Sequence, residues 1–335
     1  MPNTIPHRLH RAYEAHSDRE VLLIKRAGMY LGFTYWQLWE TIRRLTHGMA
    51  AQGIGAGDRL AILSPNRPEW IYIDYAAFML RAEVTAIDPA TPIDTVVERL
   101  NAIDARAVFI GSGDLYAALK AQVDALPGEA LLFPFDITHS DHPRTVFFRQ
   151  LTAQGEKHRK KQPDFFLKSL AALDSEQCAA RVGDGSATLR QSDLTAMLDA
   201  AGSADVRGGD VALSTLNLSD MLERVAGNWL MMDKGGTVAY SRGEAHLFED
   251  LAEVKPTVLV QHAPWFAALA ERVRTEARNR RSFLSFGGVG PEQMREVLGG
   301  RLRAVMCDTP LPDDAAALFR ELEVSVQTLT VGEPA

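Results

Sequence analysis

Lys157-His158-Arg159-Lys160-Lys161 is a concentrated basic run in the chain, set in a polar stretch, 138–168. A run of this kind either binds an anion or faces water. Charge runs usually face water, which makes this one a solvated connector. Gly287-Gly288-Val289-Gly290-Pro291 precedes a helix and offers backbone N–H groups to an anion. It has neither an adjacent cation nor dinucleotide-loop spacing, so it reads as a flexible turn. His139, Asp141 and His142 lie close together in the polar stretch, a sparse donor set for a metal ion. The other histidines are scattered, Cys178 has no local His partner, and no Gly-x-Ser-x-Gly elbow presents a nucleophilic serine.

The elements that must position any site alternate in type. Short apolar runs at 60–63, 107–110, 130–133, 211–214, 237–240, 257–260, 303–306 and 324–328 read as buried strands. Between them lie helical patterns. Pro68 suits the first turn of one helix, because its missing N–H needs no partner there. Ile93, Val96, Val97, Leu100 and Ile103 form one apolar face of the next. Helices are also expected over 115–126, 189–201, 219–232, 247–254, 264–278 and 312–322. Such alternation predicts an α/β protein with mostly parallel sheets covered on both faces. It divides into a first α/β region over 1–137, a polar connector over 138–175 and a second α/β region over 176–335. The N-terminal helices are expected to pack on the second sheet. Gly183 and Gly185 read as a tight strand-to-helix turn.

Composition narrows the function classes. With 335 residues, 46% hydrophobic and 24% charged, the chain can bury a large core. Its net charge of −7 does not favour unspecific attraction to nucleic acid or to anionic membranes. Two distant cysteines, Cys178 and Cys307, make no disulfide framework, and a reducing cytoplasm is the expected compartment. The N-terminus has no signal-peptide h-region, and no apolar run reaches the roughly 20 residues that span a bilayer.

Several blocks occur in an order that resembles the N-terminal, AMP-binding domain of long-chain fatty-acyl-CoA synthetases, members of the adenylate-forming superfamily. Gly57-Asp58-Arg59-Leu60-Ala61-Ile62-Leu63-Ser64-Pro65-Asn66-Arg67-Pro68-Glu69-Trp70 looks like the entry to its first sheet, closed by Ile87-Asp88-Pro89. Leu216-Asn217-Leu218-Ser219-Asp220 followed by Glu223-Arg224 is similar to the family's Leu-Pro-Leu-Ser-His and Glu-Arg. Lys255-Pro256-Thr257 and Gly300-Arg301-Leu302-Arg303 follow in the expected order. The resemblance implies two stacked αβα subdomains. It also implies a two-step chemistry, in which a carboxylate and ATP give an acyl adenylate and coenzyme A then displaces AMP.

At the positions that handle ATP the sequence departs from that pattern. The place of the Ser/Thr/Gly-rich phosphate loop is held by Arg181-Val182-Gly183-Asp184-Gly185-Ser186, which has no lysine and contains a carboxylate. The family's His becomes Asp220. Its Gly-Gly-Ala-Pro-Leu becomes Cys307-Asp308-Thr309-Pro310-Leu311, and the magnesium-holding Glu of Tyr-Gly-Leu-Thr-Glu falls on Val331, after Thr330, unless the register slips to Glu333. The resemblance also implies a lysine-bearing C-terminal domain, and the chain ends at Ala335 without it. The degenerate nucleotide positions are therefore Gly183, Gly185, Ser186, Asp308, Thr309, Pro310 and Thr330. Asp220, Arg224, Trp265 and Cys307 are candidates for the substrate pocket. No catalytic residue and no metal ligand is assigned.

The expected function is that of a degenerate synthetase homologue. It would have no cofactor and would hold a fatty-acyl or other small apolar ligand, or a protein partner, in a groove walled by the helix of Met221, Leu222, Val225, Trp229, Met231 and Met232. Those residues equally suit core packing. A homo-oligomer or a complex with another protein is expected. The alternative is a working fatty-acid–CoA ligase using ATP, magnesium and CoA, with a rebuilt phosphate site or a C-terminal domain supplied by another chain.

Overall fold

The computed structural model describes residues 3–140, 142–183, 185–280 and 290–329. Its thirteen strands are β1 Glu20–Arg26, β2 Met29–Thr34, β3 Arg59–Leu63, β4 Glu83–Ile87, β5 Ala107–Ile110, β6 Leu131–Pro134, β7 Cys178–Val182, β8 Ala187–Arg190, β9 Val211–Ser214, β10 Thr237–Tyr240, β11 Val258–Val260, β12 Ala304–Cys307 and β13 Ser325–Thr328. They form a six-stranded sheet in the order β6-β5-β3-β4-β7-β8 and a seven-stranded sheet in the order β13-β12-β11-β9-β10-β1-β2. Each sheet is parallel except for its last pair, the hairpins β7–β8 and β1–β2. The mostly parallel α/β class read from the alternation is the class observed.

The chain separates into two compact units, residues 1–14 with 35–196, and residues 15–34 with 197–335. Two hairpins account for these limits. β1–β2 runs beside β10 in the second unit, although it lies near the N-terminus. β7–β8 runs beside β4 in the first unit, although it follows the polar stretch. That stretch is folded: it carries the helices Phe148–Lys161 and Phe165–Ala171.

In the first unit the central strands are continuous apolar runs, as strands covered on both faces require. The helix Pro68–Met79 is apolar on nearly every side and buried along its length. In the second unit Asp210 fixes the starts of three neighbouring strands. Its carboxylate accepts from the Thr257 hydroxyl at 2.7 Å, from Arg207 N at 2.7 Å and from Arg303 Nε at 2.9 Å. Burial pushes the Asp210 carboxyl up, but these donors and the Arg303 charge outweigh it and hold it below the usual range. The landmarks before β9, β11 and β12 are thus one hydrogen-bonded cluster.

Two expectations need correction. Gly183 and Gly185 do not lead from a strand into a helix: they turn β7 into β8, and the helix begins only at Gln191. The helix expected over 219–232 is interrupted by a seven-residue π-helical segment, Glu223–Trp229. Met221, Leu222, Val225, Trp229, Met231 and Met232 are all buried in the core.

Candidate functional site

In open α/β sheets, ligands sit beyond the carboxyl ends of parallel strands. At that edge of the second unit the neighbours β9, β11 and β12 deliver three side chains. Asp220 ends the loop after β9, His262 lies two residues beyond β11, and Asp308 follows β12 directly. His262 Nδ1 lies 2.8 Å from Asp308 Oδ2, and His262 Nε2 lies 2.9 Å from Asp220 Oδ2. With a carboxylate at each ring nitrogen, both nitrogens donate, which is the imidazolium form. Partial burial pushes the His262 ring down, but the two carboxylates outweigh it and raise it above the ordinary histidine range. Asp308 is held low, because donation from His262 and from Ala263 N (3.2 Å) exceeds the effect of burial.

Neither carboxylate waits for a ligand. Asp220 also accepts Leu222 N through Oδ1 at 2.8 Å, so it starts the following helix and grips the histidine at once. The Thr309 hydroxyl, 3.4 Å from Asp308 Oδ1, borders the cluster. The arrangement is a carboxylate–imidazolium–carboxylate bridge, about a third exposed, with a net charge of −1. It resists an anion and joins three strand-end loops.

Behind the bridge lies an acid whose ionisation burial opposes. Glu223 is completely buried, and its carboxyl is raised well above the usual range, by burial first and also by the nearby charge of Asp220. Its Oε1 accepts from Asn228 Nδ2 at 3.0 Å, and the Tyr240 hydroxyl donates to Asn228 Oδ1 at 3.3 Å. Arg224, also buried, stacks over the Trp229 ring at 5.0 Å and donates to Met221 Sδ at 3.8 Å. π-Helical turns recur at functional sites, and this one supplies both buried charged residue types.

The remaining candidates lie elsewhere. Cys307 is buried in β12, its thiol pushed up by burial and donating to Gln327 O at 3.6 Å. Trp265 Nε1 donates to Glu244 at 2.6 Å, on the outer side of its helix beside Arg272. Pro310 is an exposed residue of the loop after β12. Gly183, Gly185 and Ser186 form the β7–β8 turn of the first unit. Gly183 and Gly185 have φ of +65° and +96°, and a Cβ on Gly185 would meet Ile103 at 2.5 Å. Arg181, the cation nearest that turn, is engaged with Glu83 at 2.5 Å and with Gly185 O at 3.0 Å. Thr330, Val331 and Glu333, with Asp184, Asp141 and Gly287-Gly288-Val289, lie outside the described residues. Among the described residues no group of three His, Cys, Asp or Glu is placed to hold a metal ion.

Sequence reading brought out Asp220 and Asp308 but missed His262, whose partners stand 42 and 46 residues away. The usable signal was topological: Gln261-His262-Ala263-Pro264 joins a buried strand to a proline-started helix at the ligand edge of the sheet.

A chain with these two sheets and this strand-end edge belongs to the AMP-binding enzyme family, whose profile matches residues 9–179. It is similar to a mitochondrial medium-chain acyl-CoA ligase of Danio rerio, 26% identical over 186 residues, which are 51% of this chain and 30% of that protein. It is also similar to the long-chain-fatty-acid–CoA ligase heimdall of Drosophila melanogaster, 22% identical over 83% of this chain and 44% of that one. The chain spans less than half the length of these curated relatives. Among solved structures, the N-terminal domain of FACL13 from Mycobacterium tuberculosis has a TM-score of 0.70 at 16% identity, covering 98% of this chain and 76% of that one. A benzoate CoA ligase from Burkholderia xenovorans has 0.71 at 14%, covering 98% and 61%. At these identities the structural likeness defines the fold.

Proposed function

We propose that this chain is an acyl-CoA synthetase-like protein that does not adenylate by itself and that acts by holding an acyl ligand or a protein partner. The observation that carries the reading is the Asp220–His262–Asp308 bridge. The family's chemistry gathers negative charge from ATP and needs cations and N–H donors to hold it. At the strand ends of the second unit the only cation of the bridge is consumed by two carboxylates. At the β7–β8 turn of the first unit there is no lysine, and Arg181 is already paired. These side chains do not fit a polyphosphate, and no step is routed through one.

An associated state fits the same reading. Met29 and Leu31, 64% and 42% exposed, lie on the edge strand β2, where a partner would cover them. Among the described residues no helix is long and apolar enough to cross a membrane. Calorimetric titration with ATP and magnesium tests the proposal. Heats of dilution alone are expected. Saturable binding would favour the working ligase with a rebuilt phosphate site.

A further inference from the structure

We infer that the pair His47–His158 is an acid-released latch: when it takes up a proton, the helices Phe148–Lys161 and Phe165–Ala171 come free of the helix Tyr35–Ala51. This inference is independent of the proposed loss of adenylation.

The latch sits where two helices touch through glycines: a Cβ on Gly155 would lie 2.1 Å from Arg44 O, and one on Gly48 would lie 2.3 Å from Leu151 O. That close approach places His47 against His158, with their Nδ1 atoms 2.8 Å apart. At this distance the two nitrogens share one proton. His47 is fully buried, and its Nε2 has no partner among the described residues. An orphaned buried N–H is rarer and more costly than an orphaned lone pair. In the neutral pair the His47 proton therefore sits on Nδ1 and is donated to His158 Nδ1. An added proton finds no good place. Bound at His158 Nδ1, it reverses the bond and drives the His47 proton onto the orphaned Nε2. Bound at His47 Nε2, it leaves a buried cation without a partner. A second added proton sets two donors face to face. These penalties exist only while the helices are packed, because separated rings take protons from water freely.

The surroundings act in the same direction. Burial first, and then the charges of His158, Arg43 and Arg159, push His47 down to about 4. On its own helix Arg43 pairs with Glu40, and Arg44 lies 3.2 Å from Glu156. Glu156, also 3.0 Å from Arg159, pulls the other way and is the weakest of these influences. The helix Phe165–Ala171 brings Lys168, 3.8 Å from Asp164, and follows the Phe165 ring packed 5.3 Å from His47. Pro68–Met79, which packs on Tyr35–Ala51 and Phe165–Ala171, brings Asp74 and the phenols of Tyr72 and Tyr75, with Arg81 just past its end. The folded His47 value lies below the unfolded 6.5, so the latch is closed above pH 6.5 and weakens as pH falls from there toward about 4. From pH 7.5 to pH 5 this is a shift of about thirtyfold toward the open form.

The released helices have little else to hold them. Phe148–Lys161 buries only Leu151 and Gly155, and its other ties to Tyr35–Ala51 are the polar pairs Gln52–Gln154 and Arg44–Glu156. Phe165–Ala171 adds Phe166 and Leu170. A segment with so few buried apolar side chains opens locally, at a lower free energy than the central strands.

Hydrogen exchange of the full chain at pH 7.5 and pH 5, read by mass spectrometry and corrected for the intrinsic rate, tests this. Amides of 148–171 are expected to exchange about tenfold or more faster than those of β3 and β5 at both pH values, the mark of local opening. Their protection should fall about tenfold to thirtyfold on acidification. His47→Asn puts an N–H that does not titrate where Nδ1–H stands, and His47→Phe keeps a flat ring with no proton to take. Each, once its circular dichroism spectrum at pH 7.5 matches the parent's, should hold that fall to about threefold or less. If neither variant folds, the parent chain decides alone. The inference is overturned if acid leaves the protection of 148–171 unchanged, if these amides exchange no faster than those of β3 and β5, or if a folded variant loses as much protection as the parent.

Discussion

His262 links the chemistry of the strand ends to pH. Its folded pKa is raised, so its contribution to stability is complete below the unfolded value of 6.5 and is lost as pH rises through the folded value. The side chains of the bridge are about a third exposed, and solvent screening holds the contribution to about 1 kcal/mol or less. From pH 5 to pH 9 the urea midpoint of the parent chain should therefore fall slightly relative to that of His262→Gln. Asp210 works with the opposite sign. Its folded pKa is depressed, so its stabilisation is present above the unfolded value of 3.8 and disappears as pH falls through the folded one. Asp210→Asn should cost about 2 kcal/mol at pH 7, because Arg303 and Thr257 lose their charged acceptor. That difference should vanish in strong acid. Asp220 and Asp308 were visible from the sequence because they stand where a family pattern has other residues. His262 was not, because nothing local marks a histidine whose carboxylates arrive from two other strands.

At the scale of elements, the π-helical segment Glu223–Trp229 and the β7–β8 turn carry the strongest local constraints. Burial raises the folded Glu223 carboxyl well above its unfolded value, so it lowers stability progressively as pH rises above about 4.5. Glu223→Gln keeps the shape and drops the titration. It should match the parent within about 1 kcal/mol near pH 5 and gain on it at pH 8, read from thermal midpoints at the two pH values. Gly185→Val should lower stability by about 2 kcal/mol in chemical denaturation, since its φ is +96° and a Cβ would strike Ile103. Buried strands such as β3 and β5 were plain in the sequence, being continuous apolar runs. β8 was not: Ala187–Arg190 has three exposed residues and pairs only along one edge, so its short pattern merged with the helix after it. The π interruption also left no trace in periodicity, because its residues are buried on every side.

For the molecule as a whole, alternation of strand and helix gave the class, while the limits of the two units depended on pairings between distant segments. β1 finds β10 more than 200 residues away, and no local signal announces it. The helices of 148–171 were hidden by their basic composition, although Leu151, Phe166 and Leu170 are buried. Family membership places the chain among AMP-binding enzymes, and the proposed loss of adenylation rests on the side chains at its strand ends and its β7–β8 turn. The associated state is checked by light scattering across a concentration series: a mass above one chain is expected, and Met29→Lys with Leu31→Glu on β2 should reduce it. The central claim meets its most direct test in pyrophosphate release by the purified chain, supplied with ATP, magnesium, a fatty acid and coenzyme A. No release above a blank without protein is expected. Fatty-acid-dependent release, abolished by omitting ATP, would contradict it.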